Sequence, residues 1–367
     1  MTNVENLGTK NSSALISAAA VIVVVYGMQA AKVLLVPFLL AVFFALIALR
    51  PMLWLQARKV PSALAALVIV IAMLLVLGVV GSILGNSIAD FTAQLPAYQA
   101  RLENIVTSTG AFISELLGEE TRVQNITELI DPGFAMGFAA NILTSLQDVL
   151  TNTFLILFTM VFILLEASSM GIKARAAFGS GDNVFARPRE FLQSLGRYLG
   201  YKTVVSLATG VSAWILALVV GLDFPLLWGM LAFLFNYVPT IGSIIAAVPA
   251  VLLALVQLGP AEATTTAIGF LVINMVFGNV VEPRLMGYGV GLSPLVVFLS
   301  LVLWGWIFGP VGMLLSVPLT MTVKMALEAD EKSRWIAILI GSERDAEYAL
   351  AVIEDKEASG PAEETPG

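Results

Sequence analysis

The sequence predicts an all-α polytopic membrane protein with about six full transmembrane helices plus two broken helical hairpins. Three observations carry that prediction. Hydrophobic residues make up 58% of the chain and charged residues 12%, with a mean hydropathy of +0.92, and the apolar residues fall in long uninterrupted blocks. Two runs of almost forty residues, between Asp223 and Glu262 and between Arg284 and Lys324, contain no charge. As one straight helix such a run would reach about 57 Å, nearly twice the ~30 Å hydrocarbon core, so each must double back or break. Finally, Gly and Pro stand where they can do so: Pro239, Gly242 and Pro249 in the first run, and Gly305, Gly309, Pro310, Gly312 and Pro318 in the second.

In chain order, a polar leader, Met1 to Lys10, precedes an uncharged span from Asn11 to Ala31. Glu5 spoils the basic start of a secretory signal and a second span follows at once, so this first span reads as a retained helix. Span two, Val33 to Leu49, stops at Arg50-Pro51, and span three runs from Ser62 to Ile88; residues 1–88 form the first membrane unit. Residues 89–150 break the apolar pattern and read as an extracytoplasmic helical insertion, rich in acidic residues. Within it Phe91, Leu95, Tyr98, Leu102 and Ile105 repeat at 4-3-4-3, one apolar seam along a helix. That seam packs on its own chain or meets another subunit.

Residues 151–222 hold spans four and five, Asp148 to Leu165 and Thr203 to Leu222, joined by a loop with Lys173, Arg175, Arg187, Arg189, Arg197 and Lys202. Near 185–199 the apolar Phe191, Leu192, Leu195, Tyr198 and Leu199 share one helical face. The expectation is an amphipathic helix, lying in the membrane interface or packed on protein. The positive-inside rule puts this loop and the Arg50 to Lys59 loop in the cytoplasm, with the N-terminus inside and 89–150 outside.

Residues 223–327 then read as a transport core: a hairpin entering from outside, a helix over 263–281, and a hairpin entering from inside. Eight full crossings give the same sidedness for both termini and are the alternative. What favours hairpins is an internal echo, Gly242 to Val248-Pro249 in the first run and Gly312 to Val317-Pro318 in the second. Broken apolar segments at corresponding places in two opposed units point to a transporter's binding site. Residues 328–367 form an acidic cytoplasmic tail, partly helical to about Ile353 and disordered beyond.

Composition also excludes chemistry. With neither Cys nor His in the chain, thiolate metal sites, disulfides, Ser-His triads and zinc-protease motifs are impossible, and there is no phosphate-binding loop for ATP hydrolysis. No enzyme, cofactor, metal or nucleic-acid partner is expected; the lipid bilayer and a small polar solute are. Candidate pathway or gating residues are the neutral amides Asn236, Asn274 and Asn279, which either bond between helices or meet the solute. Pro239 and Gly242 free backbone groups at a helix break. Glu282 ends an apolar span beside Pro283 and either pairs with Arg284 or acts as a gate. Gly305, Gly309 and Gly312 shape the second break, next to Trp304 and Trp306. No Asp, Glu or His falls inside a span away from its ends, which weighs against proton antiport.

Several of these motifs resemble those of the AI-2E family of bacterial membrane proteins. They are Asn236-Tyr237-Val238-Pro239-Thr240-Ile241-Gly242 with Val248-Pro249, Val281-Glu282-Pro283-Arg284-Leu285-Met286-Gly287, Gly291-Leu292-Ser293-Pro294, and Gly305, Gly309, Gly312 and Pro318. The match is close over 185–327 and collinear before it. The resemblance implies a multi-pass inner (cytoplasmic) membrane permease, a homo-oligomer, in a family named for export of the quorum-sensing signal autoinducer-2. It implies export or exchange of a small polar organic solute, with sodium or lithium ion/proton antiport as the alternative. A non-transporting membrane scaffold is the reading from another class.

Overall fold

The computed structural model describes residues 16, 19–117, 137, 140, 152–178, 182–239, 241–286, 291–330 and 332–358. The leader, most of the second half of the expected 89–150 insertion, and the end of the tail lie outside them. Among the described residues every regular element is helical. They are α1 (Ala19–Ala30), α2 (Lys32–Ala57), α3 (Ser62–Leu117), α4 (Thr153–Phe178), α5 (Asp182–Val220), α6 (Pro225–Phe235), α7 (Ile241–Gln257) and α8 (Pro260–Asn274). A π-helical segment (Met275–Val281) follows, then α9 (Glu282–Met286), α10 (Pro294–Phe308), α11 (Pro310–Leu314), α12 (Ser316–Ala329), α13 (Arg334–Ile340) and α14 (Glu343–Ala358).

Among the described residues, four stretches are long and apolar enough to cross a bilayer: Lys32–Ala57, Ser62–Ser108, Phe191–Val220 and Pro260–Leu285. Expected spans one and four are the shorter apolar helices Ala19–Ala30 and Thr153–Ala167. The outward faces of these helices are apolar; Phe154 and Val219 are each 80% exposed. Water would not tolerate such a surface over a whole bundle, whereas lipid does.

The first long run is a hairpin. Its incoming arm α6 has 11 residues, about 17 Å, too short to cross a ~30 Å core. Its two ends are tied to one another: the Asp223 N–H donates to Gln257 Oε1 at 2.9 Å, and Gln257 Nε2 donates to the Gly221 carbonyl at 3.3 Å. The chain therefore enters and leaves at the same end, and the eight-crossing alternative is set aside. The second run turns back at Gly309, whose φ of 69° is the left-handed conformation that favours glycine. There α10 returns as α11 and α12, pinned across the hairpin by Trp304 Nε1 donating to Thr320 Oγ1 at 2.9 Å.

The echo between the runs has a shared steric cause. A methyl on Gly242 would lie 1.8 Å from the Phe235 carbonyl oxygen, and one on Gly312 would lie 1.9 Å from that of Trp304. In each hairpin the outgoing arm passes against the last carbonyls of the incoming arm, and only a residue without Cβ fits. The tips then meet. Tyr237 from the first shares one apolar cluster with Val311 and Leu315 from the second and with Leu195, Leu199, Phe43 and Met160.

Two sequence boundaries are corrected. α5 runs unbroken through the expected junction between an amphipathic helix near 185–199 and span five, with Leu195 and Leu199 buried in the bundle. No proline stands between 189 and 224, and Lys202 finds a partner inside the protein, so nothing forces the helix to end. α3 likewise continues past Ile88 for 56 residues in all. Its Phe91, Tyr98 and Leu102 pack with Trp228 and Leu227 of the first hairpin, and Tyr98 Oη bonds the Asp223 carboxylate at 2.8 Å. Most of the 4-3-4-3 seam, Phe91, Leu95, Tyr98 and Leu102, thus packs within its own chain.

At the end of the bundle that holds the Arg58–Lys59 turn, here the basic end, the C-terminal helices dock on the base of the second hairpin. Lys324 Nζ donates to the Gly291 carbonyl at 2.7 Å and pairs with Asp345, and the Ser293 N–H donates to the Ile340 carbonyl at 3.2 Å. Burial alone would raise the Asp345 pKa, but Lys324 and the Ser342 N–H and hydroxyl outweigh it and hold the carboxyl below its ordinary value.

Candidate functional site

α5 carries a polar stripe through an apolar bundle. Tyr198, Lys202, Ser206 and Thr209 follow a 4-4-3 spacing, which stacks side chains on one face of a helix, and Thr203 adjoins them. The polar partners of that face come from the first hairpin and from the continuation of α8. Asn236 Nδ2 donates to Ser206 Oγ at 2.9 Å, with both residues buried. One residue on, Tyr237 Oη donates to Thr203 Oγ1 at 2.7 Å. At the basic end Lys202 Nζ donates to Glu282 Oε1 at 2.5 Å, the lysine side chain 4% exposed and the glutamate 22%.

The stripe ends in a cleft lined by Thr209, Asn236, Ser243 and Asn274 and by Ala232, Ala246, Phe270 and Ile273. Its depth follows from helix geometry. Thr209 lies 11 residues from the end of α5 at Val220, about 16 Å, and Lys202 lies 18 residues away, about 27 Å. In a ~30 Å core the cleft is near the middle and the ion pair near the basic boundary.

Four of the eight residues that line the cleft carry neutral hydroxyl or amide groups, while the space itself is small, with room for about one water molecule, and the surface it presents is mostly apolar. Thr209 donates to its own helix at the Val205 carbonyl, 3.0 Å away, and its oxygen keeps lone pairs to accept. The Asn274 amide makes no side-chain hydrogen bond among the described residues. Next to it, Gly278 leaves the room the amide needs, since a methyl there would lie 3.1 Å from Asn274 Oδ1. Among the described residues no three carboxylates cluster to hold a metal ion.

The helix beyond Asn274 widens for an identifiable reason. Pro283 has no N–H and its ring crowds the carbonyl four residues earlier, that of Asn279. The seven residues from Met275 to Val281 are π-helical, and the Glu282 N–H reaches back five residues to the Phe277 carbonyl. π segments inside α-helices occur mostly at functional sites.

Of the sequence-predicted residues, the fold brings Asn236 and Asn274 to one cleft. It puts Pro239 and Gly242 at the tip that holds Asn236, and Glu282 at the end of the same stripe. Asn279 and Arg284 are exposed, so Arg284 does not pair with Glu282; Lys202 does. Gly305, Gly309 and Gly312 belong to the second hairpin, away from the cleft, where Gly305 faces Met313. Lys202, Ser206, Thr209, Tyr198, Thr203 and Ser243 were not foreseen. Lys202 counts as a loop charge when charges are tallied by side, and its 4-residue spacing from Tyr198 and Ser206 is the signal that places it inside.

Comparison with known proteins agrees in one direction. Residues 15–332 match the sequence profile described as AI-2E family transporter. The chain is 38% identical over 322 residues to the AI-2 transport protein TqsA of Escherichia coli K12, covering 87% of this chain and 92% of that one. It is also 38% identical over 336 residues to a putative transport protein of Haemophilus influenzae, covering 90% and 97%. The putative transport protein YhhT of E. coli K12 is 36% identical over 331 residues, covering 90% and 94%.

Proposed function

The chain belongs to the AI-2E transporter family and is a multi-pass membrane transporter; from that premise we propose that it exports or exchanges a small polar organic solute along the polar stripe of α5. The observation that supports this most is the neutral cleft at mid-depth, where Thr209, Asn236, Ser243 and Asn274 converge. A polar solute loses its hydration there and needs replacement partners. Hydroxyl and amide groups provide them without the large desolvation cost of a buried charge. The relative TqsA is named for AI-2 transport, which makes an autoinducer-2-like signal the first solute to test. Cation/proton antiport draws less support, because the carboxylate of the stripe, Glu282, is paired with Lys202 at its mouth and lies away from the cleft.

In the same reading the protein sits in the cytoplasmic membrane with its basic end and both termini inside, as the charge distribution of the loops supports. It works as a homo-oligomer, supported by Asn279, an exposed amide on an otherwise apolar helix that calls for a hydrogen-bonding partner from outside the chain.

The experiment is solute flux in proteoliposomes. Flux that falls at least about tenfold in Asn236→Ala and Thr209→Val, with the proteins still monodisperse, supports the proposal; a tenfold loss corresponds to about 1.4 kcal/mol, within reach of one or two hydrogen bonds. Sodium-driven proton movement that vanishes in Glu282→Gln, with no organic flux, would replace it by antiport. Partner binding that persists in a chain with neither activity would favour a scaffold.

A further inference from the structure

The mouth of the polar stripe holds two unusual features side by side, and a passive helix end explains neither. Lys202 is almost completely buried, and it pairs with one carboxylate, that of Glu282. A lysine out of water is stable as a cation only while its counter-charge stays in place. Tyr198 precedes the pair by one turn, and Thr203 with Tyr237 follows it. The pair therefore crosses the stripe at the basic end, between the cleft and that side of the membrane. Glu282 is delivered by the first residue after the π-helical segment.

A π segment contains more residues per turn than the α-helix around it. If the wide turn migrates toward the C-terminus past Glu282, the residues it passes rotate by about 100° about the helix axis while the helix on either side keeps its place. Here the part that would rotate carries Glu282, and the part that would stay carries Asn274 and its cleft contacts. Pro283 makes the move inexpensive, because it has no N–H whose α-helical bond must be broken. Glu282 is also less enclosed than Lys202, so it is the member free to leave.

We infer that the Lys202–Glu282 pair is a gate that closes the basic mouth of the polar stripe, and that the π-helical segment Met275–Val281 is the hinge that opens it. The inference rests on the proposed transport path, but its test reads access to the cleft and needs no knowledge of the cargo. Lys202 acts on the solute's route through Glu282, as a positioning residue.

The chain has no native cysteine, so Ser243→Cys supplies a single thiol in the cleft. In proteoliposomes of sorted orientation, a membrane-impermeant maleimide is added from the basic end and the labelling rate is followed. Slow labelling is expected in the Ser243→Cys parent. Lys202→Gln or Glu282→Gln should raise the rate by about 100-fold, the order expected for loss of a buried ion pair. The exchanged pair Lys202→Glu with Glu282→Lys should return it toward the parent rate. Pro283→Ala, which restores the N–H and favours α-helix, should slow labelling severalfold below the parent.

Rates within twofold of the parent in both single variants, or no recovery in a monodisperse exchanged pair, overturn the gate. An unchanged rate in Pro283→Ala overturns the hinge. Should either single variant fail to fold, the neutral double variant Lys202→Gln with Glu282→Gln decides, because it leaves no lone buried charge: fast labelling supports the gate and slow labelling overturns it. If labelling follows the expected pattern while no organic solute moves, the gate stands and the proposed cargo falls.

Discussion

Gly242→Ala places a methyl group 1.8 Å from the Phe235 carbonyl oxygen, 2.8 Å from its carbon and 3.0 Å from Val238 Cβ. Contacts to Cβ below 3.0 Å are essentially never seen, so the two arms must separate by about 1.2 Å, the difference between 3.0 and 1.8. The nearest neighbour is backbone, and no rotamer change relieves it. Overpacking of this kind costs typically 1–3 kcal/mol, and the strain falls at the tip that carries Asn236. The Asn236–Ser206 bond of 2.9 Å would stretch to about 4 Å if the tip absorbed the whole movement, beyond hydrogen-bonding range. The expected result is a clear fall in melting temperature, read by tryptophan fluorescence in detergent, together with loss of flux. Gly312→Ala should behave alike, since it meets the Trp304 carbonyl at 1.9 Å. Gly85→Ala is the control: nothing lies within 4 Å of a methyl there, and in mid-helix the change should stabilise by about 1 kcal/mol or less. If Gly242→Ala melts and transports like the Gly85 variant, the steric account of both hairpins is refuted.

Tyr98→Phe removes the hydroxyl that ties α3 to Asp223 at the base of the first hairpin. It should cost about 1.5–3 kcal/mol, the range for a hydrogen bond to a charged group, in equilibrium unfolding; a change below about 0.5 kcal/mol counts against the tie. The C-terminal arm should undock in acid. Because the folded-state pKa of Asp345 is depressed, its contribution is fully present above the ordinary carboxylate range and fades as pH falls below about 4. Limited proteolysis of 330–358 at pH 7 and pH 3 reads this, and Asp345→Asn should give the pH 3 pattern at pH 7. Opposed entry of the hairpins is checked with single cysteines at Ile241 and Met313, which should label from opposite sides of the membrane. Labelling of both from one side would reject that arrangement.

How much could be read in advance depends on the range of the interaction involved. The lengths of the uncharged runs, the ~30 Å thickness of a bilayer and the places of Gly and Pro are local quantities, and together they led to an all-helical membrane protein with two hairpins. Asn236, Asn274 and Glu282 stood out for the same reason, as polar groups in apolar surroundings. The seam of Phe91, Tyr98 and Leu102 was visible as a periodicity, but periodicity says that a face is buried without saying by what. Its partner, the first hairpin, lies more than a hundred residues on.

Charge was the least legible property, because charges were read by sidedness. Lys202 is a loop residue by that count and Arg284 the neighbour of Glu282 in sequence, yet the fold buries the lysine, exposes the arginine and pairs Glu282 across 80 positions. Sequence by itself determined the class and that the two long runs must break, with Gly and Pro marking where, since both follow from chain length against membrane thickness; it left hairpins and eight full crossings open. Only the tertiary structure decided that α5 is one helix and that its polar face is completed by the hairpin tip and by α8. A buried polar group is tolerated only where a partner meets it, and those partners come from elements far apart in the chain.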